Sequence, residues 1–211
     1  MSTPSAPDFN IVPNPLTSST VVLGWPVPYD AGSPIIDYRL EIKLGEVWTL
    51  LKSDITATQY TYSPTVQGSQ YTFRMKSRNI FSSSSYTDPV TVTAGLVPNA
   101  PVLPSAQVSV DKVIIGWQIS ATNGVPIAGY KIMIITSDGT SYAEEKKSCD
   151  GKNSAIAFAY TCQIPMVNLL ASPHNLVQGS TMRIKVIATS ANGDSNDSPI
   201  NSNTILVLVP A

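Results

Sequence analysis

A hydrolytic or zinc-dependent site needs a base or a ligand with partners in reach, and the sequence has a single histidine, His174, to supply one. It lies in Pro173-His174-Asn175 with no second histidine and no cysteine at ligand spacing, so it reads as an exposed loop residue. No Gly-x-Gly-x-x-Gly or Gly-Lys-Ser stretch is present to cradle a phosphate. Asp194 and Asp197 in Gly193-Asp-Ser-Asn-Asp-Ser198 are too few for a calcium loop. The expectation is a protein that is not an enzyme, with no cofactor and no metal site. The two cysteines, Cys149 and Cys162, are more informative. Both fall in a stretch that has no counterpart in the rest of the chain, which points to a disulfide stapling that stretch and to an oxidising compartment. The alternative is a pair of buried, reduced thiols in a cytosolic protein. Asn196-Asp-Ser198 has the form of an N-glycosylation sequon, weakened by the following Pro199. Arg39, Glu41, Lys43, Arg74, Lys76 and Arg78 alternate with apolar residues and so share an outer face. That face is either a shallow site for anionic glycans or partner proteins, or a solvated surface whose charges pair around Glu41. The small worth of surface charges favours the second.

The elements that carry these residues follow from composition and period. The chain has 211 residues, only 13% of them charged, and a formal net charge of −1. A balance so near zero gives no electrostatic reason for nucleic acid or an anionic membrane as partner. Seventeen prolines and twelve glycines punctuate runs rich in Val, Ile, Thr and Tyr, an all-β composition. No apolar run approaches the roughly 20 residues of a membrane-spanning helix. Met1-Ser-Thr-Pro-Ser-Ala-Pro7 lacks the regions of a signal peptide and says nothing about cellular address.

An internal repeat sets the architecture. Val21-Val-Leu-Gly-Trp25 recurs as Val113-Ile-Ile-Gly-Trp117, and Gly32-Ser-Pro-Ile-Ile-Asp-Tyr38 as Gly124-Val-Pro-Ile-Ala-Gly-Tyr130, at one shared offset. Gln67-Gly-Ser-Gln-Tyr-Thr-Phe-Arg-Met75 matches Gln178-Gly-Ser-Thr-Met-Arg-Ile-Lys-Val186 at a larger offset, so the second copy carries an insertion, between about 143 and 178. Within each copy apolar residues alternate with polar ones, the mark of half-buried strands. Asp138-Gly139 between Ile135 and Tyr142 reads as a tight hairpin. About seven short strands per copy indicate a two-sheet sandwich. The domains are then 1–96 and 97–211, with Gly95-Leu-Val-Pro-Asn-Ala-Pro101 as a short, stiff link in a semi-rigid rod. The core should be built on Trp25, Tyr38 and Tyr71 in the first copy, and on Trp117, Tyr130 and Met182 in the second. In the second copy Lys131, Met133, Ile135 and Ile187 would point outward, and a strand over Ala155–Ile164 would cover that apolar face.

A strand ending in Trp, a Pro- and Gly-containing loop, Pro-Ile-x-x-Tyr, and Gly-x-x-Tyr-x-Phe-Arg-x-x-x-x-Asn together resemble fibronectin type III, an immunoglobulin-like β-sandwich. Trp25, Tyr38, Tyr71 and Asn79 carry the match in the first copy. The resemblance implies that Tyr71 is the corner tyrosine, its hydroxyl bonded back to the preceding connection. The second copy departs from the pattern at Met182 and Ser190. Cys162-Gln-Ile-Pro-Met166 and Leu170-Ala-Ser-Pro-His-Asn-Leu-Val-Gln-Gly179 are similar to repeats in large surface proteins of ciliated protists.

The module serves many purposes, so fold alone does not give function. The reading is a non-catalytic structural or adhesive segment of a larger extracellular or cell-surface protein. It would act as a rod-like spacer and bind other protein domains, with no nucleic acid, no membrane insertion and nothing that favours a glycan. The alternatives are an accessory module of a secreted carbohydrate-active enzyme and a cytosolic filament scaffold.

Overall fold

The computed structural model describes residues 3–6, 20–63 and 65–205. The chain divides into two compact units, Met1–Leu96 and Val97–Ala211. In unit 1, β1 (Val21–Gly24) pairs antiparallel with β4 (Gln59–Tyr62). Facing them is a sheet of β2 (Asp37–Leu44), β3 (Val47–Ile55), β5 (Gln70–Arg78) and β6 (Val90–Thr93), in the order β3-β2-β5-β6. Val21 and Leu23 from one sheet and Leu40, Ile42, Phe73 and Met75 from the other close a core in which all but Ile42 are fully buried. Trp25 packs edge-on against Tyr38 at 5.3 Å, filling one end of it. Tyr71 is only half-buried, and its hydroxyl accepts a hydrogen bond from the Val66 amide at 2.9 Å. That bond closes the turn ahead of β5. Tyr71→Phe should cost about 1 kcal/mol, the usual worth of one such bond, measured as a shift in denaturant midpoint without a change in slope.

Unit 2 repeats this plan with additions. One sheet is β7 (Ser105–Ser109), β8 (Lys112–Gly116) and β11 (Thr161–Pro165), in the order β11-β8-β7. The other holds β9 (Ile127–Ile135), β10 (Tyr142–Glu144), β12 (Thr181–Ser190), β13 (Gly193–Asp194) and β14 (Asn201–Ile205). The β9–β10 hairpin turns at Gly139 (φ +73°), where Asp138 Oδ1 accepts the amides of Thr140 and Ser141 at 2.8 Å. Trp117 and Tyr130 lie 5.5 Å apart at one end of a core that also contains Ile115, Ile132, Ile134, Ile164 and Met182.

Both units seal part of their central strand with side-chain hydroxyls in place of a regular strand ladder. β5 pairs with β6 only from Gln70 to Phe73. Beyond that, Met75 N–H donates to the Thr87 hydroxyl and Ser77 N–H to the Ser84 hydroxyl, at 3.2 and 3.1 Å. The amides of Thr87 and Ser84 return bonds to the carbonyls of Met75 and Ser77. In unit 2, Val186 and Ala188 donate to the hydroxyls of Ser198 and Ser195 at 2.9 and 3.0 Å, with the same return bonds.

Two expectations about the second copy are corrected here. Ala155–Tyr160 is not a strand: α1 (Ser154–Ala159) is a short helix, and only Thr161–Pro165 of the region is extended. The flank of β9 is already occupied, since Glu145 N–H bonds to Ile132 O and Tyr130 N–H to Gly151 O. Gly151 approaches so closely that an added Cβ would lie 2.2 Å from the Tyr130 carbonyl. With no edge left to pair, the segment forms a helix on the Asn153 cap, whose side chain accepts from Ala155 N, and Phe158 is left 78% exposed. The face it was expected to cover needs little cover: Ile135 is buried in the core, Met133 and Ile187 are half-buried, and Lys131 pairs with Asp194. Second, the extra residues are not one block. Leu23 faces Tyr60 in unit 1 and Ile115 faces Cys162 in unit 2, so Cys162 stands in a core strand and the additions fall on both sides of β11.

Candidate functional site

The charged face of the first copy is the constellation richest in chemistry, and the strand register builds it. Pairing of β2 with β5 sets Asp37 opposite Arg78, Arg39 opposite Lys76 and Glu41 opposite Arg74. Pairing of β2 with β3 brings Trp48 opposite Lys43. Arg74 donates to Glu41 through Nε and Nη2 at 3.0 and 2.8 Å, and Arg39 adds an ion pair at 3.3 Å. The Tyr86 hydroxyl donates to the other Glu41 oxygen. The Arg74 guanidinium is sandwiched between two rings, 4.2 Å from Trp48 and 4.0 Å from Tyr86, and the Lys76 ammonium sits 5.1 Å from Tyr86. Glu41 is therefore only 5% exposed although it points away from the core. Arg78 is held by Asp37 and, at 3.7 Å, by Asp54, while Lys43 binds Glu46 at 2.7 Å.

Burial raises the Glu41 carboxyl, but the Tyr86 hydroxyl and the Arg74 and Arg39 guanidiniums outweigh it, and the group sits below its ordinary value. A depressed folded value contributes stability that is present above the ordinary carboxylate range and is lost as pH falls through the depressed one. Glu41→Gln should cost about 1.5–3 kcal/mol near neutral pH, the range for hydrogen bonds to a charged group. The gap from wild type should close on acidification below the ordinary carboxylate value, as followed by urea unfolding at several pH values. An unchanged gap across that window would show that the charge does not act. Chemically the face is a cation–π stack on a clamped carboxylate, with Arg39 and Arg74 sharing Glu41, rather than an array of unpaired cations.

The other expected site residues fall elsewhere. His174 is not an exposed loop residue: it is fully buried, with Nε2 2.9 Å from Glu145 Oε2. The reason is that the second added segment folds down rather than out. Ser137 N–H bonds to His174 O, Leu176 N–H to Leu169 O, and Met166 and Leu169 of α2 (Met166–Leu170) enter the core. Ser148, from the first added segment, donates its amide to Glu145 Oε1 and accepts from Asn168 Nδ2, so half-buried polar groups beside the buried Glu145 tie the two additions together. Cys149 and Cys162 are joined in a disulfide, with Cα atoms 5.4 Å apart. Burial pushes the Tyr130 phenol up to about 12, with Tyr160 adding to the effect, so it is no base near neutral pH. Asn196 is exposed, and Ser198 of the same triplet is a buried strand-sealing hydroxyl. Among the described residues no group of three or more His, Cys, Asp or Glu could hold a metal ion.

The sequence reading missed Trp48, Tyr86 and Asp37 on the charged face. Trp48 was legible as the residue opposite Lys43 once the hairpin at Gly45 is recognised; Tyr86 was not, because it lies outside any strand.

The fibronectin type III domain family model matches residues 4–93. The FN1–FN3 domains of chicken CNTN1 share 15% identity at a TM-score of 0.56, over 98% of this chain and 68% of that one. The twitchin kinase region from C. elegans shares 26% identity at a TM-score of 0.39, over 44% of this chain and 17% of that one. No helix among the described residues is long and apolar enough to cross a membrane. Residues 4–93 thus belong to the fibronectin type III family, typically a non-catalytic structural and protein-interaction module, and the chain has the fold of tandem fibronectin type III domains.

Proposed function

We propose that the chain is a non-catalytic segment of a larger extracellular or cell-surface protein, serving there as a spacer and a binding platform for other protein domains. The observation that carries this reading is the Cys149–Cys162 disulfide within tandem sandwiches, because such bonds persist in oxidising compartments and are rare in the cytosol. The largely paired charges on the outer face of unit 1 support it too, since paired charges on a sheet suit lateral contact with proteins more than capture of a small anion. Expression behind a secretory leader tests the reading. The chain should leave the cell with no thiol reactive to a maleimide after denaturation, and the Cys149→Ser/Cys162→Ser variant should be secreted at lower yield. Equal secretion of the two, or free thiols in the secreted protein, would favour the cytosolic scaffold.

A further inference from the structure

We propose that the cleft between the β9–β10 hairpin and the connection after α2 receives an apolar side chain next to a carboxylate on a partner polypeptide. A cavity of about 260 Å³ opens there, with the buried Ile135 and Leu176 in its lining and Arg183 beside them. Arg183 forms no ion pair or hydrogen bond among the described residues, whereas its β12 neighbour Lys185 is held by Asp197 and Lys131 on β9 by Asp194. Ser137 and Thr181, also in the lining, have hydroxyls that bond to no described group. A guanidinium without a described partner, in a lining that also holds two hydroxyls, suits a carboxylate, because its fork of N–H donors fits two carboxylate oxygens. The apolar lining requires that the carboxylate be attached to an apolar body.

The wall is built rather than incidental. It comes from the second added segment, which His174 pins to Glu145 from within and Ser137 N–H bonds to from the hairpin. Rigid walls lower the ordering cost of binding. The inference deepens the protein-binding reading by giving one partner's chemistry; its failure would leave the secretion test untouched.

Amide-resolved NMR titration of the full chain tests it, with acetyl-Leu-Asp-amide, acetyl-Leu-Asn-amide and acetate as probes. The Leu-Asp peptide should give saturable shifts at Ile135, Leu176 and Arg183 with a Kd in about the millimolar range. Leu-Asn and acetate should each bind about tenfold or more weakly, the worth of one charge-assisted pair or one buried apolar group. Arg183→Gln, on an exposed position, should keep the rest of the spectrum and weaken Leu-Asp by a similar factor. No saturable shift, equal response to Leu-Asp and Leu-Asn, acetate as tight as the dipeptide, or an Arg183→Gln variant that binds normally would each overturn the proposal.

Discussion

Trp117→Ala is expected to destabilise unit 2 by about 3–5 kcal/mol, the range for large aromatic truncations in cores. The indole is 5% exposed, lies 5.5 Å from the Tyr130 ring, and fills the end of the sandwich where β8 runs out. Its backbone is held as well, since Trp117 N–H bonds to Tyr160 O, which opposes collapse of the chain into the void. The first added segment is thus anchored on the residue it helps to bury. The measurement is the urea midpoint of the unit 2 transition, with Trp25→Ala as the matched change in unit 1. A loss below about 1 kcal/mol would mean that the cavity relaxes and that the tryptophan is not the keystone of this core.

Removal of the disulfide is expected to have the second largest effect. Cys149 and Cys162 close a loop of 13 residues in sequence separation, worth about 3 kcal/mol in the chain-entropy picture. The bond does more than shorten a loop. It ties the start of the first added segment to β11, a strand of the core sheet, and both cysteines are buried. Reduction, or the double serine change, should lower the unit 2 melting temperature by several degrees or more and leave unit 1 where it was. A coincident shift of both units, or none, would contradict the local role assigned to the bond.

The fold was readable where side-chain pattern and burial coincide. Val21, Leu23 and Trp25, with their copies Val113, Ile115 and Trp117, alternate inward as period two demands, and the Asp138-Gly139 hairpin sits where its turn chemistry put it. What failed was reading by alternation alone. Ala155-Ile-Ala-Phe-Ala-Tyr160 has the alternation of a strand, yet whether a strand forms depends on a free edge, and Gly151 against Tyr130 removes that edge. His174 failed for a related reason. A lone histidine between Pro and Asn looks like loop, and its carboxylate partner Glu145 lies 29 residues away in a segment that no local rule connects to it. The charged face was legible in its members but not in its state. Register gives Glu41 opposite Arg74, whereas Tyr86 arrives from a loop to bond the second carboxylate oxygen and to stack on Arg74.

The seryl and threonyl hydroxyls that finish β5 and β12 have a consequence for neighbours in an array. A strand edge with unspent amides is a template on which any similar sequence can add, and tandem copies of one fold hold similar sequences at high local concentration. At Met75, Ser77, Val186 and Ala188 those amides are satisfied by side chains of the same unit. Each of these amides is already spent inside its unit, and the return bonds spend the facing carbonyls as well, so this part of each sheet presents nothing for an adjacent repeat to pair with. Sandwiches sealed in this way can follow one another in a chain without offering these amides to their neighbours.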